Sequence, residues 1–209
     1  MMVPLPDLVE SLLDSPRPLP IVTAGDPVLR TPAARYDGQL TDAQLGRLVL
    51  AMRETMHAAP GVGLAAPQVG VPLRLAVLED PAEVTDEVRA ARARVPLPFR
   101  VLINPTYEPI GDIRAAFFEG CLSIPGWQAV VARHASVRLR GQDERGRELD
   151  EEVSGWPARI VQHETDHLDG TLYIDRAITR SLTSAEALTD RWSQPTPAAA
   201  AAALGFEFP

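Results

Sequence analysis

Lysine is absent: all twenty basic residues are arginine, they face 28 acidic residues, and they are scattered without forming a basic block. With a formal net charge of -8 and an isoelectric point near 5.0, the chain lacks the positive surface that a general nucleic-acid binder or an anionic-membrane binder needs. There is one cysteine, Cys121, so an intramolecular disulfide is excluded and a reducing compartment is expected. Met1 to Asp7 carries no positive region and leads into no long apolar stretch. Nor does any run reach the roughly 18 apolar residues of a membrane span. These absences predict a soluble, cytoplasmic protein that binds neither nucleic acid nor membrane.

The 209 residues suffice for one domain with a real core. The stretch that carries most chemistry is Gln162-His163-Glu164-Thr165-Asp166-His167-Leu168-Asp169-Gly170. Residues i and i+4 share a helix face, so His163 and His167 can turn ring nitrogens to one metal ion while Glu164 reaches a water bound to it. Pro157 suits a first helical turn, Ala158, Ile160, Val161 and Leu168 supply apolar faces, and Gly170 suits a left-handed cap. A helix is predicted over 157–169. A hydrolytic site normally uses three protein ligands with one position open. The extended metalloprotease pattern would place a third histidine where Tyr173 stands, so the third donor has to come from elsewhere. His57 and His134 read as structural. Cys121, flanked by Gly120 and Glu119 rather than by core residues, is the remaining candidate, and a thiolate suits zinc or iron.

Residues 1–20 read as an appendage lying on the domain: a short amphipathic helix from Asp7 to Leu13, then a stiff proline-rich stretch. Thr41 to Gln44 opens a helix with Leu45, Leu48, Val49, Met52 and Met56 on a core face. Gly61 to Gly70 lacks the third glycine, the strand and the helix of a dinucleotide loop; its bare backbone suits close approach by another chain, and such an edge could hold an extended peptide. Strands are predicted at 74–78, 99–104 and 113–118, a surface helix at 83–94, and turns over 105–112. An antiparallel hairpin is expected within 128–153, a short strand at 171–174 and a brief helix from Thr183 to Trp192. The tail from Pro195, with six consecutive alanines, reads as mobile or loosely docked.

Three stretches together resemble the peptide deformylase family: Gly61-Val62-Gly63-Leu64-Ala65-Ala66-Pro67-Gln68, Glu119-Gly120-Cys121-Leu122-Ser123, and Gln162 to Gly170. Their order and spacing match over about residues 20–180, which divides the chain into an appendage (1–20), a catalytic domain (21–180) and a C-terminal helix and tail (181–209). The resemblance implies an α+β fold with antiparallel β-sheets packed around a central helix that carries the HExxH motif. It also implies one Fe2+ held by Cys121, His163 and His167, with Zn2+, Ni2+ or Co2+ as possible substitutes. The metal would bring the pKa of bound water toward about 7. Glu164 would act as the proton carrier, and the Gln68 side chain and the Leu122 backbone N–H would stabilise the oxyanion. Val62, Gly63 and Gly120 would hold the peptide, with Ile160 and Trp127 near a methionine pocket and Glu119 paired with Arg133 in support. The implied activity is removal of the formyl group from N-formyl-methionyl nascent peptides by a monomer. One departure is Gln128, which stands where many bacterial members carry a peptide-binding arginine. A metallopeptidase, another amidase and a non-catalytic metal-binding homologue are the alternatives.

Overall fold

The computed structural model describes residues 3–209. Its centre is the apolar run at Leu75 to Leu78, which is buried throughout because both of its faces are covered. Strand β2 (Leu75–Asp80) lies in a five-stranded antiparallel sheet with β1 (Gly63–Ala65), β3 (Leu97–Pro109), β6 (Ser136–Gln142) and β7 (Glu148–Ser154), in the order β1-β2-β3-β6-β7. Side chains alternate across a strand. Leu75 and Val77 therefore join Leu48, Met52 and Met56 of helix α2 (Asp42–Ala58), while Ala76 and Leu78 join Ala158, Val161 and Leu168 of helix α4 (Gly155–Leu168). A second, three-stranded sheet, β4 (Arg114–Cys121), β5 (Ile124–His134) and β8 (Thr183–Ser184), flanks α4. The architecture is α+β, with antiparallel sheets around the motif helix.

The two principal helices begin and end where local chemistry directs. Thr41 and Gln44 form a reciprocal capping box at the start of α2 (3.0 and 3.2 Å). Gly170, with φ +75°, takes the left-handed step just past α4.

Several expectations are corrected. Helix α1 (Leu5–Leu13) does not merely lie on the domain: Val9 and Leu13 are buried in the core shared with α2, although residues 1–2 of that segment lie outside the described ones. Pro105 to Pro109 is not turn but the second half of β3. Asn104, at φ +50°, absorbs a register shift between Ile103 and Thr106, and a bulge of this kind accommodates the proline that follows. The hairpin within 128–153 is formed by β6 and β7, whereas β5 pairs with β4 in the other sheet. Tyr173–Asp175 is a 3-10 turn rather than a strand, because the Asp175 carboxylate accepts the Leu172 N–H at 2.8 Å and closes the chain on itself. The alanine tract is helix α6 (Ala198–Leu204), following α5 (Ala185–Arg191). It is docked rather than mobile: Ala200 and Ala201 pack on Phe118 and Val130, a close approach that methyl side chains permit. The expected surface helix is α3 (Asp86–Arg92), with no buried residue.

Tyr107 of β3 donates its hydroxyl to Asp166 of α4 at 3.0 Å. Burial, then the Asp166 charge, push its phenol from 10.0 up to about 12. A group raised in the folded chain contributes its full stabilisation below the unfolded pKa and loses it as pH climbs through the folded one. Stability should therefore decline between about pH 10 and 12. Tyrosinate absorbance of the native chain is expected to lag that of the urea-unfolded chain across this window, and Tyr107→Phe to narrow the gap. Coincident titration curves would contradict this.

Candidate metal centre and substrate cleft

Helix α4 presents His163 and His167 one turn apart, with ring centroids separated by 5.1 Å. Cys121 ends β4 at the tight connection to β5, where it faces Ile124 across the ladder. Its Sγ lies 3.3 Å from His167 Nε2, and one ligand atom from each of Cys121, His163 and His167 falls within 4.8 Å of the others. A thiol and two imidazoles converging at this separation fit a divalent transition metal. His163 Nδ1 is 3.0 Å from Glu119 Oε2, which leaves Nε2 for the cluster. Burial opposes charge on His163, but hydrogen bonds to Cys121 and Glu119 outweigh it and raise the ring to about 10. Burial drives His167 well below the ordinary histidine value. Tyr173, where a third histidine would stand, stacks on His163 (6.3 Å, 17°) and donates to the Trp127 carbonyl at 2.9 Å, so it lies outside the donor set.

Glu164 is 4% exposed, and burial pushes its carboxyl up to about 7. A divalent cation beside it would act in the opposite sense. Its Oε2, like His167 Nδ1, has no hydrogen-bond partner among the described residues. Gly63 packs directly on it: a Cβ there would stand 2.6 Å from the carboxyl carbon and 2.7 Å from Cγ. Gly63→Ala must therefore displace the carboxylate. With Glu164 as the expected proton carrier, this should lower hydrolytic turnover by at least about tenfold while metal content stays unchanged, since misplacing a reacting group by ~1 Å costs up to ~100-fold. Parallel assays of turnover and metal content check this, and wild-type turnover would sink it.

Gln68 is held by its own carbonyl oxygen, which accepts the Ala65 N–H at 2.9 Å; this points Nε2 at Cys121 Sγ (3.5 Å) and Ser123 Oγ (3.3 Å). A cleft of about 720 Å3 opens over this cluster. Its lining includes Val62, Gly63 and Gln68 from one side and Gly120, Cys121 and Leu122 from the other, with His163 and Glu164 below. Ile160, Trp127 and Gln128 also reach it, whereas His167 lies deeper at 1% exposure. All the sequence-identified residues thus gather at one place. β1 is an edge of the large sheet, paired with β2 on one side only, so the glycine-rich stretch borders the cleft as an edge strand.

The expected Glu119–Arg133 pair is buried and bidentate, at 2.6 and 2.9 Å. It is part of a larger network that sequence reasoning missed. Glu119 also takes Arg159 and His163, Arg133 continues to Asp166 at 2.8 Å, and Asp166 takes Arg176 at 2.7 and 3.0 Å. One signal was available: Asp166 is a charged residue on the buried stripe of α4.

A family model described as polypeptide deformylase matches residues 18–182. The chain is 71% identical over 207 residues to peptide deformylase 1 of Streptomyces coelicolor, covering 99% of this chain and 95% of that one. Among solved structures, a peptide deformylase from Synechococcus elongatus in complex with actinonin is similar with a TM-score of 0.65 and 34% identity, covering 92% of this chain and 89% of that one. A Met-Ala-Ser-bound class I type b peptide deformylase from Acinetobacter baumannii is similar with a TM-score of 0.67 and 32% identity, over 76% of this chain and 98% of that one.

Proposed function

Because the chain belongs to the peptide deformylase family, metal-dependent hydrolases that remove the formyl group from newly made polypeptides, we propose that Cys121, His163 and His167 hold its catalytic ion and that Glu164 carries the proton. The observation behind this is the convergence of the three ligand atoms within 4.8 Å beside a buried carboxylate. The ion is Fe2+ in this proposal. The donor set also suits Zn2+, Ni2+ and Co2+. When bound, the ion acts as a Lewis acid that makes water nucleophilic near neutral pH.

The rest of the chemistry belongs to the chain. Glu119 holds His163 in the tautomer that faces the cluster. Glu164 accepts a proton from the attacking water and passes it to the departing amine, so that formate and a free amino terminus result. The Gln68 amide and the Leu122 backbone N–H stabilise the charge that develops on the formyl oxygen. Val62 and Gly63 on the β1 edge, with Gly120 opposite, hold the peptide backbone in an added-strand mode. Ile160 and Trp127 border the methionine side chain.

The catalytic portion is taken as residues 21–180, with the two ends as supports. The chain acts as a monomer on N-formyl-methionyl nascent peptides in the cytoplasm and binds no nucleic acid, in keeping with its net charge of -8. No described helix is long and apolar enough to cross a membrane.

The test is formate release from a formyl-Met tripeptide by protein stripped with a chelator and reloaded without oxygen with Fe(II), Ni(II) or Zn(II). Stripped protein should be inactive, and iron or nickel should restore turnover. Absence of turnover with every ion, despite one bound per chain, would overturn the assignment.

A further inference from the structure

Leu122 and Ser123 form the turn that joins β4 to β5, between Cys121 and Ile124, which face each other across the ladder. Ser123 is fully buried, at 0% exposure, although a hydroxyl is costly to bury without a partner. That hydroxyl has one partner among the described residues: it accepts an N–H of Gln68 Nε2 at 3.3 Å. The backbone of Ser123 is held independently. Its N–H points at Cys121 Sγ at 3.4 Å, and its carbonyl accepts the Ala24 N–H at 2.8 Å. Replacing the hydroxyl by hydrogen would therefore disturb the Gln68 amide and no other side chain.

The amide is fixed at both ends. Its oxygen accepts the Ala65 N–H at 2.9 Å, and Nε2 stands 3.3 Å from Ser123 Oγ and 3.5 Å from Cys121 Sγ. An amide nitrogen carries two hydrogens, so with one held by the hydroxyl the other is left for the side of the ligand cluster. The backbones of the two residues are tied as well. Val22 donates its N–H to the Gln68 carbonyl and Ala24, two positions on, to that of Ser123, both at 2.8 Å. One short segment thus fixes the separation of the two walls, and the side-chain bond adds the orientation of the amide between them.

We propose that Ser123 is a positioning residue for oxyanion stabilisation: its hydroxyl holds the Gln68 amide in the orientation that meets the charge developing on the formyl oxygen, and ties it to the turn that carries the Leu122 N–H. The inference rests on the deformylase reading of this cleft and on Gln68 as an oxyanion donor. A donor contributes its full effect only when it is oriented before the reaction. An amide free to rotate has to be turned as the charge forms, which costs kcat and leaves KM nearly untouched.

The experiment measures kcat, KM and metal content of the iron-loaded enzyme on amidated formyl-Met-Ala-Ala for the wild type, Ser123→Ala, Gln68→Leu and the double variant. Ser123→Ala should lower kcat by about three- to tenfold, the worth of one buried hydrogen bond, with KM within about twofold and metal content unchanged. In the Gln68→Leu background the same substitution should have no effect on kcat, because its route of action is gone. A merely structural serine would lower kcat by the same factor in both backgrounds, and that result would overturn the proposal. So would a kcat in Ser123→Ala at or above the wild-type value, a loss confined to KM, or a loss of metal. Wild-type kcat in Gln68→Leu would remove Gln68 from the oxyanion site and this proposal with it. No turnover by the wild type would overturn the deformylase reading itself.

Discussion

Glu164→Gln is expected to lower kcat for formate release by about a thousandfold, within the ~100- to 10,000-fold range of a positioned proton carrier, while metal content stays at the wild-type level. The substitution keeps the shape of the side chain, so Gly63 still packs against it, and it leaves the three proposed ligands untouched. What it removes is the ability to take up and return a proton. Glu164 is suited to that task because it is buried, borders the cleft and has an oxygen with no protein partner among the described residues. The paired measurement is decisive. A loss of metal would mean that the residue supports the ligands, and a loss of less than about tenfold in kcat would remove it from the mechanism.

The largest effect on stability is expected at Glu119, which no assay of proton transfer would single out. Burial alone would raise its carboxyl pKa, yet Arg133, His163 and Arg159 overcome that and hold it well below the ordinary range. Breaking a buried ion cluster by removing one partner strands the opposite charges without water. Glu119→Ala leaves Arg159 with only the Val131 and Ala115 carbonyls and removes the Nδ1 partner of His163. A loss of about 3–5 kcal/mol follows, which for a chain of this length lowers Tm by on the order of 10 °C. Metal affinity should fall about 10- to 100-fold through the freed imidazole. Calorimetry and a competitive chelator titration measure the two effects, and an unchanged Tm would refute the account.

The readable parts of this chain were those in which neighbours in sequence are neighbours in space. The capping box at Thr41 and Gln44, the stripe from Leu45 to Met56 and the i, i+4 histidines on α4 are local patterns, and the structure has them. Gly63 was legible as a bare backbone, but its contact is the Glu164 side chain of a distant helix, which no local pattern contains. The Glu119–Arg133–Asp166–Arg176 network joins β4, β5, α4 and the segment after it; only its Glu119–Arg133 link was expected, from the resemblance, and the others form when those elements meet. The alanine tract, read as mobile or loosely docked, carries no pattern that would show Ala200 and Ala201 packing on Phe118 and Val130 of the small sheet.

Glu119 stands two positions before Cys121 on the small sheet and holds His163 and Arg159 on α4. Under the proposed ligand set, the thiolate belongs to one body and both imidazoles to the other, and the same carboxylate joins them. Escape of the ion and opening of this seam are then a single event. The dissociation rate of the metal becomes a clock for local unfolding, set by how often the small sheet parts from the helix rather than by the strength of any one bond to the ion.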